Sequence, residues 1–315
     1  MSTCAKVSRD LEEPLAGTAA TARTWLLVEQ PGPWGARALT SSHLDPALGR
    51  ALEEAAEGTG VRVALIRRPG RHADCHTVAA RQVYAAHTTP GNVWLHNATI
   101  SDPEQLLKID FAELGRGLPQ TFDAALDGRP HTGDPLALVC TNGKRDRCCA
   151  LLGRPLAAEL AASGVEGAWE VTHLGGHRFS PTLLVLPFGY AYGRAEAHAV
   201  KEILQGVREG RVVGDGCRGS SAWERPGQAA ELAVRTAAQE DTAGALSIVR
   251  TDGAGPWEVT VAHTDGRRWL VTVVQGAALP PRRESCGSAL GSPARMDVPA
   301  VRELPRTVLA GRADH

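Results

Sequence analysis

The sequence predicts an α/β protein made of two successive units with one element order, followed by a small α+β segment. Three observations predict it. Short β-rich apolar runs alternate with helical stretches, several opening on an Asp that can cap the first turn. The order strand, helix, strand, long loop, strand, strand, helix occurs twice. After Gly216 the chain changes to one Ala-rich helix and three strands joined through Asp-Gly turns.

In the first unit, Thr24–Glu29 reads as a strand. Asp45-Pro46 opens a helix to about Glu57, with Asp as N-cap, Pro at the first helical position and Gly58 just past the end. Val61–Arg67 is a second strand, Gln82–His87 and Val93–Ala98 a strand pair, and Asp102-Pro103 opens a helix to about Leu114. In the second unit Leu136–Cys140 is a strand. A helix from Asp146 to about Ala162 places Leu151, Leu152, Leu156 and Leu160 on one face. Ala168–Thr172 is a strand, Leu183–Leu186 pairs with Tyr190–Tyr192, and Ala195–Glu209 is a helix. This order, a βαβ crossover, a hairpin and a closing helix, is that of a thioredoxin-like unit. The third segment offers a helix over Arg225–Asp241 and strands over Ala245–Arg250, Trp257–His263 and Arg267–Val274, then a tail from Gly276 that reads as loop. The expected division is 1–134 for a degenerate unit, 135–222 for the unit that carries the chemistry, and 223–315 for the appendage.

Composition narrows the function classes. Thirty-four basic and 35 acidic residues leave a net charge of −1, which excludes a strongly basic nucleic-acid binder. The most apolar stretch, Leu183–Tyr192, holds Pro187 and Gly189 and is too short to span a bilayer. Met1–Gly17 lacks the apolar core of a secretory signal, so a cytoplasmic protein is expected. Seven cysteines, an odd number, suggest ligands or buried thiols rather than a disulfide framework in a reducing compartment.

The chemistry concentrates in Cys140-Thr-Asn-Gly-Lys-Arg-Asp-Arg-Cys148-Cys149 and in His173-Leu-Gly-Gly-His177. Cys140 ends a strand. Asp146 is placed to cap the next helix, which puts Cys149 in the first turn, where unpaired N–H groups favour a thiolate. The two His follow the neighbouring strand. Loops after adjacent parallel strands leave the sheet at one edge, so two thiolates and two imidazoles can converge there. Gly175-Gly176 argues for a loop that wraps a bulky centre. Two Cys and two His suit zinc or an iron–sulfur centre. The eight residues between Cys140 and Cys149 are too many for a zinc knuckle and match a [2Fe-2S] centre better. A Rieske site has Cys-x-His on each of two loops; here the Cys come together and the His come together.

Val139-Cys140, Lys144 to Cys149, Trp169 to Phe179 and Tyr192-Gly193-Arg194 resemble the sucrase/ferredoxin-like family. The first unit resembles it more loosely, through Glu13 to Thr18 and Trp25 to Gly35. The resemblance implies a thioredoxin-like ferredoxin: an electron-transfer protein with a [2Fe-2S] cluster held by Cys140, Cys149, His173 and His177, working with a redox partner protein, a reductase or an acceptor. Family members commonly carry Arg-Asp-x-Arg-Cys-Gly. Here Cys148 stands for the usual Arg and Ala150 for the Gly, which leaves Cys148 as the alternative to Cys149. Two neutral imidazoles beside two thiolates bring an oxidised cluster to zero charge. Its potential is then expected above that of all-Cys ferredoxins and dependent on pH.

Other readings stand beside this one. A zinc-stabilised binding module would use the same residues. A thiol–disulfide oxidoreductase would need a Cys-x-x-Cys at a helix start, which is missing. No segment offers the convergent carboxylate pair of a glycosidase, so sucrase activity is not expected. Lys144, Arg145 and Arg178 read equally as partner-steering charges or solvated surface. Trp169 and Phe179 read as core, and Cys4, Cys217 and Cys286 as free thiols. Arg71-His72-Ala-Asp74-Cys75-His76 is a second possible metal group, but the turn after the first strand carries no Cys, so the first unit is expected to be a scaffold without a cluster.

Overall fold

A computed structural model describes residues 3–70 and 79–306. The group at Arg71–His76 lies outside the described residues. The chain opens with α1 (Cys4–Asp10) and continues through β1 (Thr24–Glu29), α2 (Pro46–Ala56), β2 (Val61–Arg67), β3 (Arg81–His87), β4 (Trp94–Ile100), α3 (Phe111–Gly115), α4 (Gln120–Leu126) and β5 (Arg129–Pro130). Then come β6 (Leu136–Cys140), α5 (Arg154–Ala162), β7 (Ala168–Val171), β8 (Leu183–Leu186), β9 (Tyr190–Tyr192), α6 (Ala197–Arg208) and β10 (Cys217–Ser220). The last part holds α7 (Arg225–Ala238), β11 (Leu246–Asp252), β12 (Trp257–His263), β13 (Arg268–Ala277) and β14 (Ala294–Leu304).

This is a mixed α/β architecture with one large mixed sheet and one small antiparallel sheet. Among the described residues the large sheet has ten strands in the order β10-β9-β8-β6-β7-β2-β1-β3-β4-β5. Read outward from the β7–β2 seam, both directions give one pattern: β2-β1-β3-β4 on one side and β7-β6-β8-β9 on the other. In each half the first two strands in sequence are parallel and the next two antiparallel. The seam itself is short. It registers only Ile66 with Val171 and Arg67 with Glu170.

The two faces of the sheet are built differently. One carries a core common to both halves, with Trp25, Leu27, Ile66, Leu138, Cys140, Trp169, Val171 and Leu184. The other carries two separate cores. Leu26, Val28 and Leu65 pack on α2 to α4 through Leu48, Leu52, Phe111 and Phe122. Ala137, Val139, Leu183 and Val185 pack on α5 and α6 through Leu156, Leu160, Val200 and Leu204. Strands buried on both faces explain why β1, β6 and β8 are continuous apolar runs rather than alternating ones.

The small sheet, in the order β11-β12-β13-β14, packs on α7 through Ala230, Val234, Val259, Val261 and Val271. A buried polar network joins α7 to the large sheet. Arg235 donates to Glu231 at 2.9 Å and to the Tyr190 hydroxyl at 2.8 Å, and the Tyr190 hydroxyl donates to Glu231.

Several expectations are corrected. The single helix expected from Asp102 to Leu114 is a 3₁₀ turn over Pro103–Lys108 and then α3. Asp110 breaks it by accepting from the Glu113 N–H at 2.9 Å and capping a new helix. The helix after Asp146 starts with a π-helical turn over Cys149–Gly153 before α5. That wider turn shifts the register, so Leu151 and Leu152 point to solvent, while Leu156 and Leu160 stay in the core. The tail after Gly276 is not all loop: β13 continues to Ala277, and β14 pairs with it as a fourth strand. α1, α4, β5 and β10 were also not anticipated.

Candidate metal centre

β6 and β7 are parallel, with Cys140 in register with Val171, so the segments after them leave the sheet together. After Cys140 the chain turns on Asn142, whose carbonyl accepts the N–H groups of Arg145 and Asp146, both at 3.2 Å. Asp146 then caps the helix as expected. Its Oδ1 accepts the Cys148 N–H at 2.8 Å and its carbonyl the Cys149 N–H at 3.1 Å. The helix runs hard against the end of β6 because residue 153 is Gly. A Cβ there would lie 2.2 Å from the Cys140 carbonyl oxygen.

After β7, Thr172 reaches His173, and Gly175 and Gly176 take φ of 79° and 71°. These left-handed residues fold the loop back, so that His177, which opens a short 3₁₀ turn, stacks on His173 with ring centroids 4.3 Å apart. Arg218 presses on the loop from below. It donates to the Gly175 carbonyl at 3.2 Å, and its guanidinium occupies the space a Cβ on Gly176 would need.

All four residues singled out in the sequence come together here. The sulfurs of Cys140 and Cys149 and a ring nitrogen of His173 lie within 4.8 Å of one another. Cys149 Sγ is 3.8 Å from His177 Nδ1. Both cysteines are fully buried, and both histidines are half-buried. Cys148 faces away from this group. Its sulfur lies 3.4 Å from Cys4 and 3.2 Å from Cys286.

The electrostatics of the pair are those of a shared proton. The Cys149 thiol hydrogen-bonds to Cys140 and holds the Cys140 thiol well below its usual range, with His173 adding to the effect. Cys149 is pushed up by that same bond and by burial. Burial, with His173 second, lowers His177 to about 4, so its ring is neutral and able to ligate. Two sulfurs and two imidazoles, dry on the sulfur side and reachable on the imidazole side, fit a thiophilic metal or an iron–sulfur centre.

The described residues of the first half hold this site in place, and none of them contributes a ligand atom. Arg62 donates to the His173 carbonyl at 2.7 Å. The Thr172 N–H donates to the Leu65 carbonyl at 2.9 Å, and Thr172 Oγ1 accepts the Leu65 N–H at 3.1 Å. Asn142 donates to the Gly35 carbonyl at 3.0 Å. At the seam, Glu170 accepts from Arg67 at 2.6 Å and from Thr141, the residue after Cys140, at 2.8 Å.

Charge around the site sorts into two kinds. Lys144, Arg145 and Arg147 are exposed on the turn. A groove of about 210 Å³ beside His173 sets Arg37, Arg62 and Arg145 against one carboxylate, Glu53, and so carries a net positive charge. Arg178 is neither solvated nor free to steer. It is buried and paired with Glu13 at 2.8 Å, and Glu13 also accepts from Arg282 at 3.0 Å. Sequence reasoning missed this link, because Glu13 and Arg282 lie far away in the chain. Trp169 and Phe179 are core, as expected.

The sequence profile of the sucrase/ferredoxin-like family matches residues 15–219, and the chain belongs to that family. Neither a curated protein nor a solved structure is a significant match. Among the described residues, no helix is long and apolar enough to cross a membrane.

Proposed function

We propose that this protein is an electron carrier that binds a [2Fe-2S] cluster through Cys140, Cys149, His173 and His177. The observation that carries the proposal is the meeting of two buried sulfurs and two half-buried imidazoles at one sheet edge. Such a cluster takes up and returns one electron without making or breaking substrate bonds. The chain's own residues set the conditions. The buried cysteines exclude water from one side. The imidazole edges of His173 and His177 form the side nearest the surface. Arg145 lies beside His173, and Lys144 and Arg147 are exposed on the same turn, a positive charge suited to an acidic redox partner.

One feature weighs against the oxidoreductase reading. A thiol–disulfide oxidoreductase must expose a sulfur to its substrate, and neither Cys140 nor Cys149 is exposed. A zinc site would use the same four atoms, so metal content separates it from the cluster. In this reading each four-stranded half is a thioredoxin-like unit. Residues 1–134 serve as the cluster-free scaffold, 135–222 as the ferredoxin unit and 223–315 as an appendage, in a cytoplasmic protein.

The test is spectroscopy on protein purified without air. The wild type is expected to be reddish-brown and, once reduced, to give the electron paramagnetic signal of a mixed-valence pair. His173→Cys and His177→Cys are expected to keep the colour and shift the signal toward that of an all-thiolate site. Colourless protein containing zinc in the same four-residue group would overturn the proposal.

A further inference from the structure

Three cysteines that the four-residue centre does not use meet beside it. Cys4 opens α1, Cys148 lies in the first turn after Asp146, and Cys286 lies in the connection between β13 and β14. Their sulfurs form a triangle with sides of 3.4, 3.5 and 3.2 Å, joining positions 144, 282 and 138 residues apart. Asp146 closes the group. An oxygen of its carboxylate lies within 4.8 Å of all three sulfurs. The same carboxylate accepts the N–H of Cys286 at 2.9 Å and that of Cys148 at 2.8 Å.

Free cysteines often pack as small hydrophobes. Here a carboxylate joins them: Asp146, held by its two N–H bonds, keeps an oxygen within 4.8 Å of all three sulfurs, which makes a donor set of three sulfurs and one oxygen. A disulfide would use two sulfurs at ~2.05 Å and strand the third, and the near-equal sides single out no pair. An iron–sulfur cage has no room between sulfurs this close. A tetrahedral zinc with ~2.3 Å bonds sets its sulfurs about 3.8 Å apart, within a few tenths of an ångström of the triangle. A divalent cation binding here would displace the thiol protons.

We infer that Cys4, Cys148, Cys286 and Asp146 form a structural zinc site that clamps α1 and the β13–β14 connection onto the helix start bearing Cys149. The site gives the appendage a purpose: its crossover supplies a ligand and brings Arg282 to Glu13. It also sets Asp146 between two centres, capping the turn that presents Cys149 on one side and facing the sulfur triangle on the other.

The test counts zinc and iron in the full chain, purified anaerobically without chelators. The wild type is expected to hold one zinc per chain. Cys286→Ser and Cys4→Ser are expected to lose zinc at least about tenfold while keeping their iron. Cys217→Ser, a buried cysteine in β10, should keep both metals. Should a variant not fold, alkylation of the wild type decides. Zinc should protect the peptides containing Cys4 and Cys286, and chelation should expose them. A zinc-free wild type would overturn the inference. So would a disulfide within the trio of metal-free protein, or zinc that survives both substitutions. Zinc lost in His177→Ala but kept in Cys286→Ser would also overturn it, by placing the metal in the other group. A wild type with zinc but no iron would sink the electron-carrier proposal and leave this one standing.

Discussion

Cys148 and Cys149 are neighbours in sequence but point their sulfurs into different groups: Cys149 faces His177 at 3.8 Å, and Cys148 faces Cys286 at 3.2 Å. One helical step is about 100° of rotation, enough to send adjacent side chains to opposite sides of a turn. The two substitutions should therefore separate. Cys149→Ala is expected to reduce iron to background, whereas Cys148→Ala should retain most of the iron and lose zinc. Elemental analysis of both variants checks this, and the reverse pattern would exchange the roles of the two residues.

The Arg67–Glu170 pair at the seam is buried on both sides and bonded to Thr141. Removing one partner leaves an unpaired buried charge, a cost of about 3–5 kcal/mol. Glu170→Ala should therefore destabilise the protein by that order and loosen the residue that follows Cys140. Replacing both partners, Arg67→Met with Glu170→Leu, should restore much of the loss. Urea unfolding of the wild type and the two variants measures it. Equal losses in the single and double variants would show that the pair is not what holds the seam.

His87 couples stability to pH at a site without metal. Its Nδ1 lies 2.7 Å from Thr24 Oγ1. That hydroxyl spends its proton on the Leu114 carbonyl at 3.1 Å, so the ring nitrogen must be the donor. Burial, with Arg23 second, lowers the folded value to about 4. The unfolded ring titrates near ~6.5, so as pH falls the unfolded chain takes up this proton first. The stabilisation is therefore complete above ~6.5 and lost as pH falls toward 4, a loss of up to about 3 kcal/mol. His87→Gln should flatten the stability profile between pH 6.5 and 4. An unchanged slope would show that His87 is not its source.

Gly175 and Gly176 both have positive φ, but only Gly176 is crowded, by Arg218. Gly175→Ala should cost only the backbone strain, about 1–2 kcal/mol. Gly176→Ala should cost more, because Arg218 must move and its bond to the Gly175 carbonyl is lost. Unfolding and iron retention measured together should show Gly176→Ala as the worse variant on both scales.

Much of this was legible in the sequence. β1, β2, β6, β8, β9 and β12 fall at the expected residues, because each is an apolar or alternating run between turn signals. The meeting of Cys140, Cys149, His173 and His177 was legible for a topological reason: β6 and β7 are parallel neighbours, so both segments leave one edge. β14 was hidden because an edge strand carrying Arg295, Asp297, Pro299 and Arg302 has the charges that keep edges from pairing further, and it reads as loop. Leu151 and Leu152 were misplaced because a π turn breaks the 3.6-residue period. The Cys4–Cys148–Cys286 group was invisible because its members lie in a polar leader, a helix start and a Pro-rich connection, and only the folded chain joins them.

The most direct measurement is the amount of iron and acid-labile sulfide in the full chain purified without air. Two of each per chain, falling together to background in Cys140→Ala, are what cluster binding by this centre predicts. Iron and sulfide at background in the wild type, in preparations that fold and resist proteolysis, would contradict it.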